Sequence, residues 1–384
     1  MKKVLITGYY GFANSGDEAV LLEIIERLRE SIPGVEITVL SNAPQETAAT
    51  YGVQAVDRWQ YSKLFAALRR CDLFILGGGS LLQDITGPRS IFFYLGQIYL
   101  ARLLGRRVFL YAQGIGPIRD PQNQKRVAAC LKKCACITLR DPQSAALLVD
   151  LGVPEEKIFV TVDPVLASHE RELPPAMPSG KKIGFALRPW EGLDKQALAD
   201  LADELGRIGY QIVFLPFQEP NDRALAEEII QKMKTPGYLP QLIAPSEMYA
   251  AISGMEIVIG MRLHSLIIAA AAGVPFAAIS YDPKVDAFCR FIGLAAATSC
   301  ENFSRTDLER MVIELLKRRP VLSAFFQSQK EKWAELAQAN AIMAREYAFG
   351  EKGYTLKDAL AEVAKAKAAE AENKQANHPQ TQWK

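Results

Sequence analysis

Residues 3–19, KVLITGYYGFANSGDEA, lead from an apolar segment into a glycine-containing turn and then into a helical pattern. Gly8, Gly11 and Gly16 lie in this turn, where the lack of a Cβ permits tight bends and close backbone approach to a ligand. A strand, a glycine-rich turn and a helix in this order form the first unit of a doubly wound α/β sheet. The sequence therefore predicts an α/β fold with a binding loop at residues 8–19.

The same alternation of short apolar runs and helical patterns continues through both halves of the chain. In the first half the predicted strands are Lys3–Thr7, Glu36–Leu40, Leu73–Leu76, Val108–Ala112, Ile137–Leu139 and Ile158–Val162. In the second half they are Ile183–Leu187, Gln211–Pro216, Gln241–Ala244, Ile257–Ile259 and Phe276–Ile279. Parallel sheets covered by crossover helices produce this alternation. We expect two Rossmann-like open-sheet domains that face a central cleft.

Residues 168–182, SHERELPPAMPSGKK, interrupt the alternation with three prolines, mixed charges and no periodicity. Such a stretch is typical of a linker between domains. We therefore expect an N-terminal domain over residues 1–167 and a C-terminal domain over residues 183–320. Residues 321–350 are predicted to form helices that pack back on the N-terminal domain, and residues 351–384 a helix followed by a disordered tail.

Composition excludes several classes of protein. The 384 residues include 45 Lys and Arg against 43 Asp and Glu, a net charge of +2, whereas a general nucleic-acid binder has a strongly basic domain. Three of the six cysteines, Cys130, Cys134 and Cys136, lack the CxxC spacing of a zinc site, so we expect buried thiols and no bound metal. The longest apolar stretch, residues 266–279, falls short of the ~20 residues that span a bilayer. We expect a cytoplasmic protein.

Charge is nevertheless uneven along the chain. Residues 58–107 hold eight Lys or Arg against two Asp, a net charge of +6. Two interpretations stay open: a crossover helix of the core with a solvated end, or a patch that contacts the inner face of the plasma membrane. In the second interpretation Arg102, Arg106 and Arg107 supply the charge.

The loop at residues 8–19 matches neither common nucleotide motif. Gly11 and Gly16 have the P-loop spacing, yet Asp17 and Glu18 stand where that motif needs Lys and Ser or Thr. The dinucleotide fingerprint GxGxxG is also absent. Both acidic residues could simply stabilise a helix N-terminus. The alternative is that they belong to a polar binding site.

A second glycine-rich segment, LGGGSLLQD at residues 76–84, follows another apolar run. Three consecutive glycines indicate close approach of the backbone to a ligand, and Gln83 and Asp84 carry groups suited to sugar hydroxyls. Three further strand ends deliver polar side chains to the same edge of the sheet: Gln113, Arg140, Asp141 and Asp163. We expect a binding site at that edge.

The segment IGMRLHSL at residues 259–266 ends a strand and begins a helix. Arg262, His264 and Ser265 cluster at the helix start, where the helix dipole, a guanidinium and a hydroxyl favour an anion. A histidine beside an arginine at this position favours a catalytic role for His264. Two other strand ends add the cations Arg188 and Lys284. The crevice suits a small ligand that carries both phosphate and carboxylate.

A series of short segments carries a family resemblance in its order and spacing: GYYGFANSGDEA, GGGSLLQD, AQGIGP, LRD, VDP, LRPW, RLHS, GVP and YDPK. Across residues 3–293 the chain resembles the polysaccharide pyruvyltransferase family, and within it the CsaB type of bacterial cell-wall polymer synthesis. The resemblance implies a GT-B-like fold, phosphoenolpyruvate as co-substrate and no other cofactor. It also implies an N-acetylmannosamine acceptor on an undecaprenyl-diphosphate-linked disaccharide, converted to a 4,6-ketal in polymers that anchor S-layer proteins.

Roles for the candidate residues follow from that donor. Ketal formation needs an acid for the enolpyruvate methylene and a base for a sugar hydroxyl, and we assign these roles to His264 and Asp17. The predicted donor site consists of Arg188, Arg262, Ser265 and Lys284. The predicted acceptor site consists of Asn14, Gly16, Gln83, Asp84 and Arg140.

Two alternatives stay open at this point. A nucleotide-sugar glycosyltransferase of the same fold is the alternative enzyme, although residues 257–281 contain no Asp or Glu to hold a ribose. A non-catalytic sugar-binding protein of envelope synthesis is the alternative outside the enzymes.

Overall fold

The computed structural model describes residues 2–85, 90–134, 136–170, 177–241, 243–350 and 353–376. Within these ranges the chain forms two parallel sheets, each covered by helices. The predicted doubly wound α/β class is therefore confirmed. Two of the sequence predictions fall partly outside the described residues: the middle of the linker, 171–176, and the end of the tail, 377–384.

The first sheet is built from the N-terminal part of the chain. Its strands are β1 (Lys3–Thr7), β2 (Glu36–Ser41), β3 (Gln54–Asp57), β4 (Leu73–Leu76), β5 (Gly79–Leu82), β6 (Arg107–Ile115), β7 (Cys136–Leu139) and β8 (Ile158–Val160). Their order is β3-β2-β1-β4-β6-β7-β8, with β5 beside the end of β6, and every pair is parallel. The central strand β1 is buried along Val4–Thr7, as expected for a strand covered on both faces.

Six helices connect these strands: α1 (Ser15–Ser31), α2 (Pro44–Tyr51), α3 (Tyr61–Arg70), α4 (Ser90–Leu103), α5 (Pro121–Leu131) and α6 (Pro142–Asp150). Capping side chains explain where three of these helices begin. Asn14 caps α1 by accepting from the Gly16 N–H at 3.0 Å. Asp120 and Asp141 cap α5 and α6, each of which has proline in its first turn.

The second sheet is built from the C-terminal part. Its strands are β9 (Lys182–Ala186), β10 (Gln211–Phe214), β11 (Gly237–Tyr238), β12 (Ile257–Gly260), β13 (Phe276–Ser280) and β14 (Thr298–Ser299), in the order β11-β10-β9-β12-β13-β14. Its helices are α7 (Lys195–Arg207), α8 (Asn221–Lys232), α9 (Met248–Ser253), α10 (Leu263–Ala272) and α11 (Pro283–Phe291). The strand predicted at Gln241–Ala244 is wrong, since residues 241, 243 and 244 form none. Pro240 and Pro245 flank this stretch and cannot donate to a sheet.

One helix, α12 (Arg305–Phe349), packs against both sheets and is followed by α13 (Leu356–Ala376). The sequence predicts one helix that ends before Pro320 and another that begins after it. The structure instead has a single helix of 45 residues, α12, which contains Pro320. Against the second sheet, Phe326 stacks on Phe276 with ring centroids 6.2 Å apart. Against the first, Asn340 accepts from the Thr161 hydroxyl at 2.9 Å. Packing on both sheets therefore outweighs the local cost of a proline within a helix.

Within the described ranges, we find no helix with both the length and the apolarity needed to span a bilayer.

Candidate active site

A cavity of about 410 Å³ lies between the two sheets, at the carboxyl ends of their strands. From the N-terminal side its wall includes Tyr9, Asn14, Asp17, Ser80, Gln83, Tyr94 and Arg140. From the C-terminal side it includes Arg188, Gln218, Arg262, His264, Tyr281, Asp282 and Lys284. Most of the predicted site residues therefore line this one cavity, although they lie far apart in the sequence.

Backbone contacts join the two halves directly beside this cavity. The Ser15 N–H donates to the Phe217 carbonyl at 2.8 Å, and Asn14 forms an antiparallel bridge with Gln218. The start of α1 is thus fixed to the segment that follows β10. These contacts therefore fix the side chains of the two domains relative to one another across the cavity.

His264, in the first turn of α10, crosses to the N-terminal domain. Its Nε2 lies 3.8 Å from Oδ2 of Asp163, an ion-pair distance too long for a hydrogen bond. The same Oδ2 accepts from Nη1 of Arg140 at 2.9 Å, and both Asp163 and Arg140 are buried. Nε2 of His264 is buried and has no hydrogen-bond partner among the described residues. Its proton is therefore not committed to another protein group.

Asp163 is ionised in this arrangement. Burial alone raises the pKa of its carboxyl, but the adjacent His264 imidazole, the Arg140 guanidinium and the Val165 backbone N–H together lower that pKa below its ordinary value. Arg140 is held in turn by Ser80, whose hydroxyl lies 2.8 Å from Nη2. A fixed negative charge therefore faces the imidazole.

Gly16 has a different role from the predicted one. A Cβ at this position would overlap the imidazole ring of His264. The glycine therefore lets helix α10 bring its histidine against the start of α1. We assigned Gly16 to acceptor binding, but the structure gives it the task of admitting His264.

Asp17 lies on the cavity wall in the first turn of α1. Burial raises the pKa of its carboxyl, an effect that the nearby imidazole of His264 and ammonium of Lys284 offset only in part. A carboxylate whose ionised form is poorly solvated accepts a proton more readily than an ordinary one. Its neighbour Glu18 is structural, because it accepts from the Gly11 N–H at 2.7 Å and the Tyr51 hydroxyl at 2.6 Å.

Arg262 lines the cavity, but its charge is already compensated. Its guanidinium makes a bidentate pair with Asp222, with Nε–Oδ2 at 2.9 Å and Nη2–Oδ1 at 2.5 Å. The Asp222 carboxylate also accepts from the backbone N–H groups of Phe217 and Gln218. The main contacts of Arg262 therefore brace the loop after β10, and its predicted part in donor binding stays a prediction.

Arg188 and Lys284 are more available to a ligand. The Arg188 guanidinium stacks over Trp190 and Tyr281, at 4.9 and 4.5 Å from the ring centroids. Its buried Nε has no hydrogen-bond partner in the part of the chain that the structure describes. Lys284 lies 3.3 Å from Asp282, its nearest carboxylate. These two cations give one side of the cavity a positive charge.

Three other predicted residues are engaged in local structure. The Ser265 hydroxyl is fully buried and donates to the Arg262 carbonyl at 2.6 Å, so it does not line the cavity. Asp84 also lies off the cavity wall, because its carboxylate accepts from the Arg119 and Asp120 N–H groups. Gln83 does line the cavity, while its Oε1 accepts from the Ile85 N–H.

Several residues at the cavity are absent from the sequence prediction. Gln218 lines the cavity and could have been found, because its polar side chain comes shortly after a predicted strand. Asp222 does not line the cavity but pairs with Arg262 beside it. Tyr9 and Tyr94 carried no such sign, since aromatic residues beside a strand usually belong to the core. Within the described ranges, no group of three or more His, Cys, Asp or Glu side chains could hold a metal ion.

Comparison with known proteins identifies relatives of this arrangement. The model of the family described as polysaccharide pyruvyl transferase matches residues 14–283, most of the chain. The amylovoran biosynthesis protein AmsJ of Erwinia amylovora is 21% identical, in an alignment that covers 77% of this chain and 88% of that protein.

Solved structures share the fold at low sequence identity. The S. aureus MnaA–UDP structure has a TM-score of 0.66 at 12% identity and covers 92% of this chain and 99% of its own. A UDP-N-acetylglucosamine 2-epimerase structure from Listeria monocytogenes has a TM-score of 0.64 at 12% identity, covering 90% and 97%. These likenesses confirm the GT-B-like architecture of two Rossmann-like domains.

Proposed function

This chain belongs to the polysaccharide pyruvyl transferase family and is an enzyme of polysaccharide synthesis, and we propose that its pyruvyl donor is phosphoenolpyruvate. The acceptor in this proposal is N-acetylmannosamine on an undecaprenyl-diphosphate-linked disaccharide, at the inner face of the plasma membrane. The product is a 4,6-ketal in a cell-wall polymer that anchors S-layer proteins. No cofactor beyond the co-substrate takes part.

One observation supports phosphoenolpyruvate as the donor more strongly than any other observation does. The Arg188 guanidinium, with a buried Nε that lacks a partner in the described residues, lines the same cavity as Lys284 and His264. A donor with a phosphate and a carboxylate would pair with both cations by charge-assisted hydrogen bonds. Its enol carbon atoms would then lie beside the imidazole.

The first chemical step is protonation of the donor. His264, as the imidazolium, transfers its proton to the methylene carbon of phosphoenolpyruvate, which becomes a methyl group. Positive charge then develops on the neighbouring carbon, where one sugar hydroxyl attacks. Asp17 takes the proton of that hydroxyl. The ionised carboxylate of Asp163, 3.8 Å from Nε2, stabilises the imidazolium before transfer.

The second step closes the ring. The carbon–phosphate oxygen bond breaks, Asp17 returns its proton to the departing phosphate oxygen, and hydrogen phosphate leaves toward Arg188 and Lys284. The second sugar hydroxyl adds to the same carbon, and its proton passes to the now neutral His264. One diol and one phosphoenolpyruvate thus give one ketal and one phosphate.

The acceptor would occupy the N-terminal side of the cavity, where Asn14, Gln83 and Tyr94 offer hydrogen-bonding groups and an aromatic face. Aromatic faces and amide groups together suit the apolar and hydroxylated sides of a sugar ring. Arg140, which we assigned to acceptor binding, lies on this wall but is bound to Asp163. We therefore give it a positioning role.

Mass spectrometry tests the proposal. A synthetic lipid disaccharide that contains N-acetylmannosamine is incubated with the enzyme and phosphoenolpyruvate, and pyruvyl gain and phosphate release are followed together. Thermal-shift measurements with phosphoenolpyruvate and with UDP separate the two enzyme classes, since a bound ligand stabilises the folded state. Stabilisation by UDP alone would favour a nucleotide-sugar glycosyltransferase.

A further inference from the structure

Helix α4 presents an apolar face to solvent. Phe92, Tyr99 and Leu103 are 50%, 45% and 83% exposed, and Gly96 lies between them. The spacing of these four positions places them along one side of the helix. Surface helices usually carry charged or polar residues on that side. Here the exposed stripe is entirely uncharged.

Neighbouring residues extend this apolar surface. Helix α3 packs beside α4, and Trp59, just before α3, lies 5.3 Å from the Phe93 ring. Of eleven exposed large apolar side chains in the described residues, six lie here: Trp59, Tyr61, Phe65, Phe92, Tyr99 and Leu103. We call these six residues the α3–α4 face. Exposed apolar residues concentrated in this way mark an interaction surface rather than ordinary scatter.

The charge around the α3–α4 face is mainly basic, although Asp57 accepts from the Trp59 N–H and Asp72 follows α3. Neither helix contains an Asp or Glu, whereas Lys63, Arg69 and Arg70 are exposed on α3. From α5, Arg126 places its guanidinium 5.0 Å from the Phe92 ring centroid. The partner must therefore accept aromatic side chains and carry negative charge.

Arg106 and Arg107, which the sequence suggests for a membrane-facing patch, are bound to backbone carbonyls of the fold and do not belong to the α3–α4 face. Arg106 donates to the Cys71 carbonyl at 3.0 Å. Arg107 donates to the carbonyls of Tyr347 and Ala348 at the end of α12, both at 2.6 Å. These guanidiniums brace the fold, so charge reversal at either position would confuse binding with stability.

The α3–α4 face is continuous with the active site. Ser90 and Tyr94, from the first turns of α4, line the cavity between the domains. The Tyr94 ring contacts that of Phe93, which in turn contacts Trp59 of the face, with ring centroids 5.2 and 5.3 Å apart. Whatever covers this face therefore lies next to the mouth of the cavity.

We propose that the α3–α4 face binds the surface of a bilayer that contains anionic lipid. Tyr and Trp side chains favour the interface between lipid and water, and basic residues are attracted to anionic headgroups. A second copy of the chain fits less well, because a two-fold contact would bring two predominantly basic surfaces together. Delivery of a lipid-linked acceptor to the cavity depends on the proposed function, whereas bilayer binding itself does not.

Vesicle co-sedimentation tests this proposal with the full chain. The probes are phosphatidylcholine vesicles with and without phosphatidylglycerol. The variant carries Phe92→Glu, Tyr99→Glu and Leu103→Glu. Its matched control carries Ile208→Glu, Ile313→Glu and Val321→Glu, three exposed apolar positions of the C-terminal half. Tyr99→Ser with Leu103→Ser is the milder second variant, should the triple variant fold poorly.

We expect binding to anionic vesicles that falls about tenfold or more in the α4 variants and is unchanged in the control, because the variants lose apolar contact area and the glutamates are repelled. Wild-type protein that ignores anionic vesicles, or α4 variants that bind as wild type, would overturn the proposal. So would a dimer that the α4 variants dissociate without any vesicle binding. The turnover of a water-soluble acceptor is measured separately for wild-type protein and for the α4 variants. If wild-type protein showed no turnover, that result would count against the proposed function but not against bilayer binding.

Discussion

Nε2 of His264 lies 3.8 Å from Oδ2 of Asp163, and the two residues belong to different domains. His264 begins a helix of the second sheet, while Asp163 follows the last strand of the first. The proposed general acid and the carboxylate that stabilises its charge therefore meet only when the two domains face each other. Gly16 permits this contact, because any larger residue there would overlap the imidazole.

Asp163→Asn tests this relationship. The substitution keeps the shape of the side chain but removes the charge that faces His264, so we expect kcat to fall by about 10²-fold or more with little change in the KM for phosphoenolpyruvate. Asp203→Asn is the matched control. Asp203 is equally buried and accepts from Lys234 and Thr235 on the outside of the second sheet. Similar turnover losses in both variants would indicate a purely structural role for Asp163.

His264→Ala removes the proposed acid. We expect kcat to fall by about 10²–10⁴-fold, the range associated with loss of a general acid. His169→Ala provides the control, since His169 is exposed within the predicted linker and away from the cavity wall. Steady-state phosphate release in the presence of acceptor reports both variants. Near-wild-type turnover of His264→Ala would exclude its assignment as acid.

Arg188→Ala tests the donor site. Loss of a charge-assisted hydrogen bond costs ~1.5–3 kcal/mol, so the KM for phosphoenolpyruvate should rise about 10- to 100-fold. Folding should be little affected, because Arg188 has no ion pair in the described residues. Arg310→Ala, at an exposed position of α12, is the control. An unchanged KM would move the anion site elsewhere in the cavity.

Arg262→Ala should behave differently from Arg188→Ala. It leaves Asp222 buried without its partner, and breaking such a pair typically destabilises a protein by ~3–5 kcal/mol. We expect a lower Tm as the main effect. A double-mutant cycle with Asp222→Ala should give a coupling energy of ~1 kcal/mol or more. Additive effects in that cycle would show that the pair contributes no coupling.

Asp17 gives a pH-dependent prediction. Because burial raises its pKa above the ordinary 3.8, the ionised form destabilises the folded state, and this effect appears as pH rises from 3.8 through the raised pKa. Asp17→Asn should therefore abolish most turnover yet raise stability near pH 7 by ~1 kcal/mol. The gain should vanish toward pH 3.8, as thermal denaturation across this range will reveal. A gain that persists at low pH would contradict the pKa argument.

Much of the fold and part of the site could be predicted from local sequence. Strands such as Lys3–Thr7 and Leu73–Leu76 were predicted at their observed bounds, because a buried parallel strand is a continuous apolar run between turn residues. His264 and Arg188 were found because they directly follow strands, at the edge where ligands bind.

Long-range pairing could not be predicted. Arg262 has the sequence context of a free cation, but its partner Asp222 lies 40 residues earlier in the chain. Asp84 likewise follows a glycine-rich strand, yet it closes a loop with Arg119 and Asp120. Helix α12 passes through Pro320 because contacts with both sheets hold it together. Such contacts depend on tertiary geometry that no local pattern encodes.

Mass spectrometry of the acceptor after reaction in heavy water is the decisive test of pyruvyl transfer from phosphoenolpyruvate. Wild-type enzyme, phosphoenolpyruvate and the lipid disaccharide are combined, and labile protons are then exchanged back into ordinary water. Protonation of the donor methylene predicts an acceptor heavier by one pyruvate less one water, with one deuterium in the new methyl group and an equal amount of phosphate. If the acceptor were unchanged by phosphoenolpyruvate but gained a sugar from a UDP-sugar, the proposed pyruvyl transfer would be wrong.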